Sequence, residues 1–240
     1  MESAGNEDVS LGAPPPGPVA HGVGPHPRPW PAGPGWDLEL LAEGDRRNVV
    51  DEFRYRTVEA VVAELDSRRH PLRVAIQNWE HDFNIGSMVR TANAFNVAGV
   101  HVVGRRRWNR RGAMVTDRYL DVRHQPDAEA LHRWAAAEGI VVVGVDNVAG
   151  ALPLETVELP ERCVLLFGAE GPGLSEAALA GCDVVVGISQ FGSTRSVNVG
   201  AAAAVVMHAW VRRWVFGQQV TDVLDTLPGN GPGLVVDLPG

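Results

Sequence analysis

Short, unbroken runs of branched aliphatic residues, separated by segments of helical periodicity, constrain this chain more than any other feature. Leu72–Gln77, Gly99–Val103, Ile140–Val145, Cys163–Phe167 and Val184–Ile188 read as strands. Gly86–Asn96, Asp127–Glu138, Ser175–Ala180 and Ser196–Val215 read as helices among them. Strands apolar on both sides need cover on both sides. The pattern therefore predicts an α/β fold, a parallel sheet with helices on both faces. Asp127 and Ser175 are placed to cap their helices, and Gly217 ends the last one. No internal repeat is evident.

The flanks read differently. Residues 1–35 hold 9 of the 17 prolines and 7 glycines, with too little aliphatic clustering to offset the entropy of ordering. A disordered Pro/Gly-rich arm is expected over 1–35. Val49, Phe53, Val58, Val61, Val62 and Leu65 recur at helical spacing, which predicts a helix over Asp45–Arg69 ended by His70-Pro71. The expected organisation is this arm, a helical extension over 36–71, a sheet domain over 72–216, and a loosely packed or disordered tail over 217–240. No apolar run has the length of a bilayer span, and no signal peptide is visible, so a cytoplasmic chain without a membrane partner is expected. Cys163 and Cys182 lie among apolar residues and read as buried thiols. His81-Asp82 and the N-terminal histidines lack metal-ligand spacing, and no metal is expected.

The formal net charge of −8 argues at first against a polyanionic partner. Its distribution softens that. Residues 68–124 carry 11 Arg against 4 acidic residues, whereas 1–67 and 125–240 are both net acidic. The basic segment includes Arg105-Arg106-Arg107-Trp108-Asn109-Arg110-Arg111. Those five arginines are candidates for phosphate contact, and Trp108 for stacking on a base. The run follows a strand at the sheet edge where Arg90 is also expected.

Three loops carry the candidate chemistry. Phe167-Gly168-Ala169-Glu170-Gly171-Pro172-Gly173-Leu174-Ser175 joins a strand to a helix. Its glycine spacing is not that of a dinucleotide fingerprint, Pro172 removes an amide, and there is no G-K-[ST], so a nicotinamide-dependent oxidoreductase is disfavoured and a P-loop excluded. An ordinary glycine turn competes with a functional one. Glu170 favours function, since a carboxylate between glycines has few apolar neighbours to pack on. Ile188-Ser189-Gln190-Phe191-Gly192-Ser193-Thr194-Arg195-Ser196-Val197-Asn198-Val199 runs from a strand into a helix of small residues, with Ser196 or Thr194 as the expected N-cap. Asn84-Ile85-Gly86-Ser87-Met88-Val89-Arg90 opens a helix that Asn84 can cap. Arg90 falls among Met88, Val89, Ala92 and Ala94, so its guanidinium is expected in a cleft.

Taken in order, N-x-G-x-x-x-R, F-G-A-E-G-x-G-L-S, and an isoleucine-ended strand followed by G-S-x-x-S-V-N-V resemble the SpoU/TrmH family of RNA ribose 2′-O-methyltransferases, of the SPOUT class. The resemblance covers about residues 72–215. It implies a C-terminal trefoil knot, S-adenosylmethionine as cofactor, tRNA or rRNA as substrate, and a homodimer. It implies cofactor contacts at Phe167, Gly168, Gly171, Ile188, Gln190, Val197 and Asn198. It assigns the polar reaction residues to Asn84, Arg90, Glu170, Ser196 and Asn198, with Glu170 holding Arg90 or Asn198. Where the family often has proline after the motif isoleucine, this chain has Ser189. A catalytically silent RNA-binding relative is the alternative implied by the same resemblance, and the intact polar set disfavours it.

Overall fold

A computed structural model describes residues 22–79 and 84–218. The chain divides into two compact units between Arg56 and Thr57, well ahead of the expected boundary at 71/72.

The first unit is organised by one buried carboxylate. Asp45 accepts from the backbone N–H of Arg47 at 2.9 Å, the Arg47 guanidinium at 2.7 and 3.0 Å, and the Tyr55 N–H at 2.9 Å. Burial alone would push this carboxyl up. The bonds from Arg47 and Tyr55 outweigh burial and hold it at about 2. Val23 pairs with Asp45 through the backbone, and the Tyr55 hydroxyl donates to the Gly24 carbonyl at 2.6 Å. Residues 22–35 are thus held in place, which corrects the expectation of disorder for that stretch. Residues 1–21 lie outside the described residues, as do 80–83, which include His81 and Asp82, and 219–240, most of the expected tail.

The helix expected from Asp45 to Arg69 is also corrected. Asp45 satisfies the N–H two residues ahead of it, a local alternative to helix. Only a 3-10 turn, Asp51–Phe53, forms before Thr57 caps a shorter helix at Val58–Asp66 (α2). An earlier helix, Leu38–Glu43 (α1), is capped by Asp37.

The second unit carries a seven-stranded sheet whose paired strands are all parallel. In chain order the strands are His70–Asn78 (β1), Val97–Gly104 (β2), Val122–Gln125 (β3), Val141–Val145 (β4), Leu152–Pro153 (β5), Cys163–Phe167 (β6) and Val184–Gly187 (β7), in spatial order β3-β2-β1-β6-β4-β7-β5. Strand residues alternate between two cores. Val74, Ile76, Leu165 and Phe167 join Ile85, Met88 and Val89 of Asn84–Ala94 (α3) and Val206, Met207 and Trp210 of Val199–Trp214 (α6). Ala75, Val164 and Leu166 join Leu131 and Ala135 of Ala128–Glu138 (α4) and Ala178 of Glu176–Ala180 (α5). Helices therefore cover both faces, as the apolar strands require. The two strands the sequence did not announce, β3 and β5, lie at the sheet's edges: β3 reads Val-Arg-His-Gln with little apolar character, and β5 has two residues.

Cys163 and Cys182 are free thiols, buried and half-buried, and burial pushes them up to about 12 and about 11. Among the described residues no helix is long and apolar enough to cross a membrane.

His101 of β2 is 1% exposed, with its ring 4.1 Å from that of Trp134. Burial, reinforced by Arg123 and Arg73, holds it at about 4. A folded value below the unfolded 6.5 means that the unfolded chain binds the extra proton between those values, so stability falls with pH across that window. We expect the melting temperature to drop progressively from pH 6.5 to pH 4.5, and His101→Gln to flatten that part of a fluorimetric melting profile. A profile unchanged by the substitution overturns the assignment.

Candidate active site

Parallel strands place their outgoing loops at one edge of the sheet. Asn78 pairs with Gly104 and Phe167 with both Ile76 and Val145, so the strand ends preceding α3, the arginine run and the glycine loop lie side by side.

The glycine loop folds back on itself. Gly173 donates its N–H to the Ala169 carbonyl at 3.1 Å, and a Cβ at Gly168 would sit 2.0 Å from the Gly173 carbonyl carbon. Gly173 has φ +73°, and a Cβ there would meet the Asp146 carboxylate at 2.4 Å. Asp146, just past β4, fixes the far side of the turn by accepting from the Leu174 N–H at 2.7 Å. Gln77 accepts from the Ser175 N–H at 2.9 Å, and Ser175 caps α5 as expected.

The turn raises Glu170 into a three-way contact. Its carboxylate accepts from the side-chain amides of Asn84 and of Asn198, the latter at 3.2 Å. Asn198 Nδ2 also donates to Asn84 Oδ1 at 3.0 Å. Asn198 Oδ1 accepts from the N–H groups of Gly200 and Ala201 at 3.0 and 3.2 Å, which makes Asn198 the N-cap of α6. Neither Ser196 nor Thr194 is the cap, as the sequence had suggested: Thr194 Oγ1 instead spans to the backbone N–H and carbonyl of Ser196. The helix begins three residues later than expected: the Asn198 amide caps it through its oxygen and donates through its nitrogen to both Asn84 and Glu170, whereas a hydroxyl has a single proton to donate.

A cavity of about 410 Å³ opens beside this contact. Phe167, Gly168, Gly171, Ile188, Gln190, Val197 and Asn198, the positions expected to touch a cofactor, all line it. So do Glu170 and Ser196 of the expected reaction residues. Gln190 Oε1 is buried and has no hydrogen-bond partner among the described residues. Val145, Asp146 and Asn147 also line the cavity, and the sequence reading missed them. Their signal was slight: a polar pair directly after an apolar strand.

Arg90 departs from expectation. It is exposed on α3 rather than held in a cleft, because its neighbours Met88, Val89 and Ala92 turn into the core on the other side of the helix. It has no ion pair among the described residues and does not line the cavity, so Glu170 holds Asn84 and Asn198 instead. Arg105, Arg106, Arg107, Arg110 and Arg111 are exposed. Asn78 Nδ2 anchors the loop by donating to the Arg105 and Arg107 carbonyls at 2.7 and 2.9 Å. Trp108 is half-buried against the core with the Arg110 guanidinium 5.5 Å from its ring centroid. Among the described residues no cluster of His, Cys, Asp and Glu is arranged to hold a metal ion.

The sequence model of the SpoU rRNA Methylase family matches residues 71–208. The chain belongs to the SpoU family. An uncharacterized tRNA/rRNA methyltransferase of Mycolicibacterium vanbaalenii is 33% identical over 186 residues, 72% of this chain and 58% of that relative, so the chain spans less than two thirds of its length. A tRNA (guanosine(18)-2′-O)-methyltransferase of Thermus thermophilus is 30% identical over 165 residues, 65% of this chain and 80% of the relative. Among solved structures, the SpoU methyltransferase AviRb of Streptomyces viridochromogenes in complex with AdoMet superposes with TM-score 0.57 at 26% identity, over 65% of this chain and 62% of that one. The SpoU match takes in β1 through most of α6, hence every loop of the site.

The closeness of Gly168 to the returning turn gives a direct test. The atoms a methyl group would strike are backbone, which cannot swing aside. Gly168→Ala is expected to cost about 2 kcal/mol or more of stability, the scale of overpacking a tight site, and to abolish binding in the cavity. Chemical denaturation together with calorimetric titration of S-adenosylhomocysteine measures both, and unchanged binding would show that the turn geometry is misassigned.

Proposed function

We propose that this chain is an S-adenosylmethionine-dependent RNA methyltransferase that modifies a ribose 2′-hydroxyl of tRNA or rRNA in the cytoplasm, with residues 72–216 as its methyltransferase domain. The observation that carries the reading is the meeting of Glu170, Asn84 and Asn198, from three separate loops, at the mouth of a cavity shaped by the glycine turn. The names of the Thermus thermophilus relative and of the AdoMet complex of AviRb support it.

The residues present fit the cofactor. A cavity of about 410 Å³ has the size of a small-molecule site, and the orphaned Gln190 Oε1 offers an acceptor to a donor group placed there. When bound, S-adenosylmethionine supplies an electrophilic methyl group on a sulfonium. The backbone of Gly168, Gly171, Ile188 and Val197, with Phe167, Gln190 and Asn198, holds it. Glu170 fixes the amides of Asn84 and Asn198, and Asn84 and Ser196 orient the acceptor ribose. A guanidinium is a poor general base, so Arg90 holds the neighbouring phosphate and stabilises the developing alkoxide, and the hydroxyl proton leaves to solvent. Arg105–Arg111 contact the RNA backbone through the five exposed guanidiniums.

The same reading makes the protein a homodimer. Arg90 is exposed on α3 and does not line the cavity of its own chain, so in this reading it serves the cavity of a second copy. Mixed dimers of Arg90→Ala and Asn198→Ala chains, each inactive alone, regain activity if the residues act across the dimer; a monomer in sedimentation analysis overturns this part. A trefoil knot spanning the last strands and α6 fits the insertion of β4 between β6 and β7. A crystal structure whose chain pulls straight from both ends would exclude it.

The central test joins binding and turnover. The protein is expected to bind S-adenosylhomocysteine and not NAD by calorimetry, and to add one methyl per RNA at a ribose, read by nuclease digestion and mass spectrometry of tRNA and rRNA. Binding to NAD alone would sink the reading, and binding without transfer to any RNA would favour a silent relative. Arg90→Ala is expected to lower the rate about 100-fold or more, as for loss of an oxyanion-stabilising group, with cofactor affinity unchanged. Wild-type turnover in that variant refutes its role.

A further inference from the structure

The segment from Phe191 to Asn198 is exposed at every residue, yet its second half, Arg195 to Asn198, lines the cavity. So little packing cannot fix its shape. Apart from the bonds of Thr194 to Ser196 inside the segment, hydrogen bonds among the described residues tie it down at its two ends. The far end is the Asn198 contact with Asn84 and Glu170. The near end is Ser189. Its N–H donates to Glu155 Oε1 at 3.2 Å and its hydroxyl donates to Glu155 Oε2 at 2.8 Å, so one carboxylate grips one residue at two points. The two neighbours of Ser189, Ile188 and Gln190, both line the cavity. Glu155 is itself exposed, but its backbone lies in a 3-10 turn, Leu154–Thr156, that follows β5 at the sheet edge and is anchored by the buried Leu154.

We infer that Glu155 is a positioning residue for the cofactor site, clasping Ser189 so that the wall from Ile188 to Asn198 is already in its binding shape before ligand arrives. The inference rests on the proposed methyl-donor site. Ser189 can take part because it has a backbone N–H and a hydroxyl, both of which a proline would lack. The clasp does in hydrogen bonds what a fixed ring torsion does covalently: it lowers the number of loop conformations that binding must select. Glu155 touches neither donor nor acceptor; its effect is on affinity.

The test is a double-mutant cycle read by calorimetric titration of S-adenosylhomocysteine to the full chain. Glu155→Ala is expected to weaken binding about tenfold, the scale of losing one to two hydrogen bonds. Ser189→Ala removes only the hydroxyl bond and is expected to weaken it less. The double variant is expected to match Glu155→Ala, because both substitutions break the same contact. The melting temperature of the unliganded protein should stay near wild type in all three. In methyl-transfer assays the KM for the donor should rise while kcat at saturation holds. Wild-type affinity in Glu155→Ala, additive losses in the double variant, or a melting temperature that falls in step with affinity would each overturn the clasp. If the wild-type protein fails to bind S-adenosylhomocysteine, the donor-site reading fails instead, and the two failures are told apart.

Discussion

The side-chain amide of Asn198 faces two ways, and the arrangement of the site hangs on that. Its oxygen takes the first free N–H groups of α6, and its nitrogen reaches Asn84 at the start of α3 and Glu170 in the glycine loop. A helix start is a place where unsatisfied N–H groups fix an acceptor's position. Once the oxygen is committed there, the nitrogen has no choice of direction. The amide orientation therefore follows from the bonds around it, and so does the position of the Glu170 carboxylate, which accepts from both asparagines. Three segments distant in sequence are brought to one point by a single group whose two ends are chemically unlike.

The backbone permits this because small residues stand where segments approach. A Cβ at Gly200 would lie 2.8 Å from Ser87 Oγ, so the first turn of α6 rests closely against α3, and a side chain there would have to displace that hydroxyl. At Gly168 the opposing atoms are backbone, and the turn that lifts Glu170 depends on the absence of a side chain. The polar contact and the close backbone approach are two sides of one constraint. The glycines set how near the loops come, and the carboxylate and amides set which way they face.

Much of this was legible in the sequence, and the failures have identifiable causes. The branched aliphatic runs gave five strands, because a strand buried on both faces must be apolar throughout. Edge strand β3 escaped notice because it is half polar, and β5 because two residues carry no period. The cap of α6 was misread because Ser196 and Thr194 have the usual capping chemistry, while the actual cap lay inside a motif already assigned to the cofactor. Asp45 defeated the longest helical pattern in the N-terminal part: a buried carboxylate meeting an arginine and two backbone N–H groups outweighs periodicity, and nothing in the spacing of apolar residues reports it. The same group explains why a stretch rich in Pro and Gly is held over 22–35. The seven cofactor positions came out together around one cavity, yet Asp146 was missed because its task, holding the Leu174 N–H, arises only when β4 and the glycine loop meet.

The charges sort along the same edge. The cavity is lined by two carboxylates, Asp146 and Glu170, and a single guanidinium, Arg195, whereas every charged residue of the Arg105–Arg111 run after β2 is an arginine. Both carboxylates are held by neutral donors from the protein, which fixes where their charges stand, away from the arginine run. A chain of net charge −8 can therefore present a basic face to a polyanion where it matters, because long-range repulsion is screened over about 10 Å at moderate salt while the arginine run lies within contact range. Trp108 lies beneath that face, packed partly against the core with Arg110 over its ring. An exposed loop anchored at a few points, as the Asn78 amide anchors the Arg105 and Arg107 carbonyls, loses less entropy on meeting any anionic partner than a free loop of the same sequence.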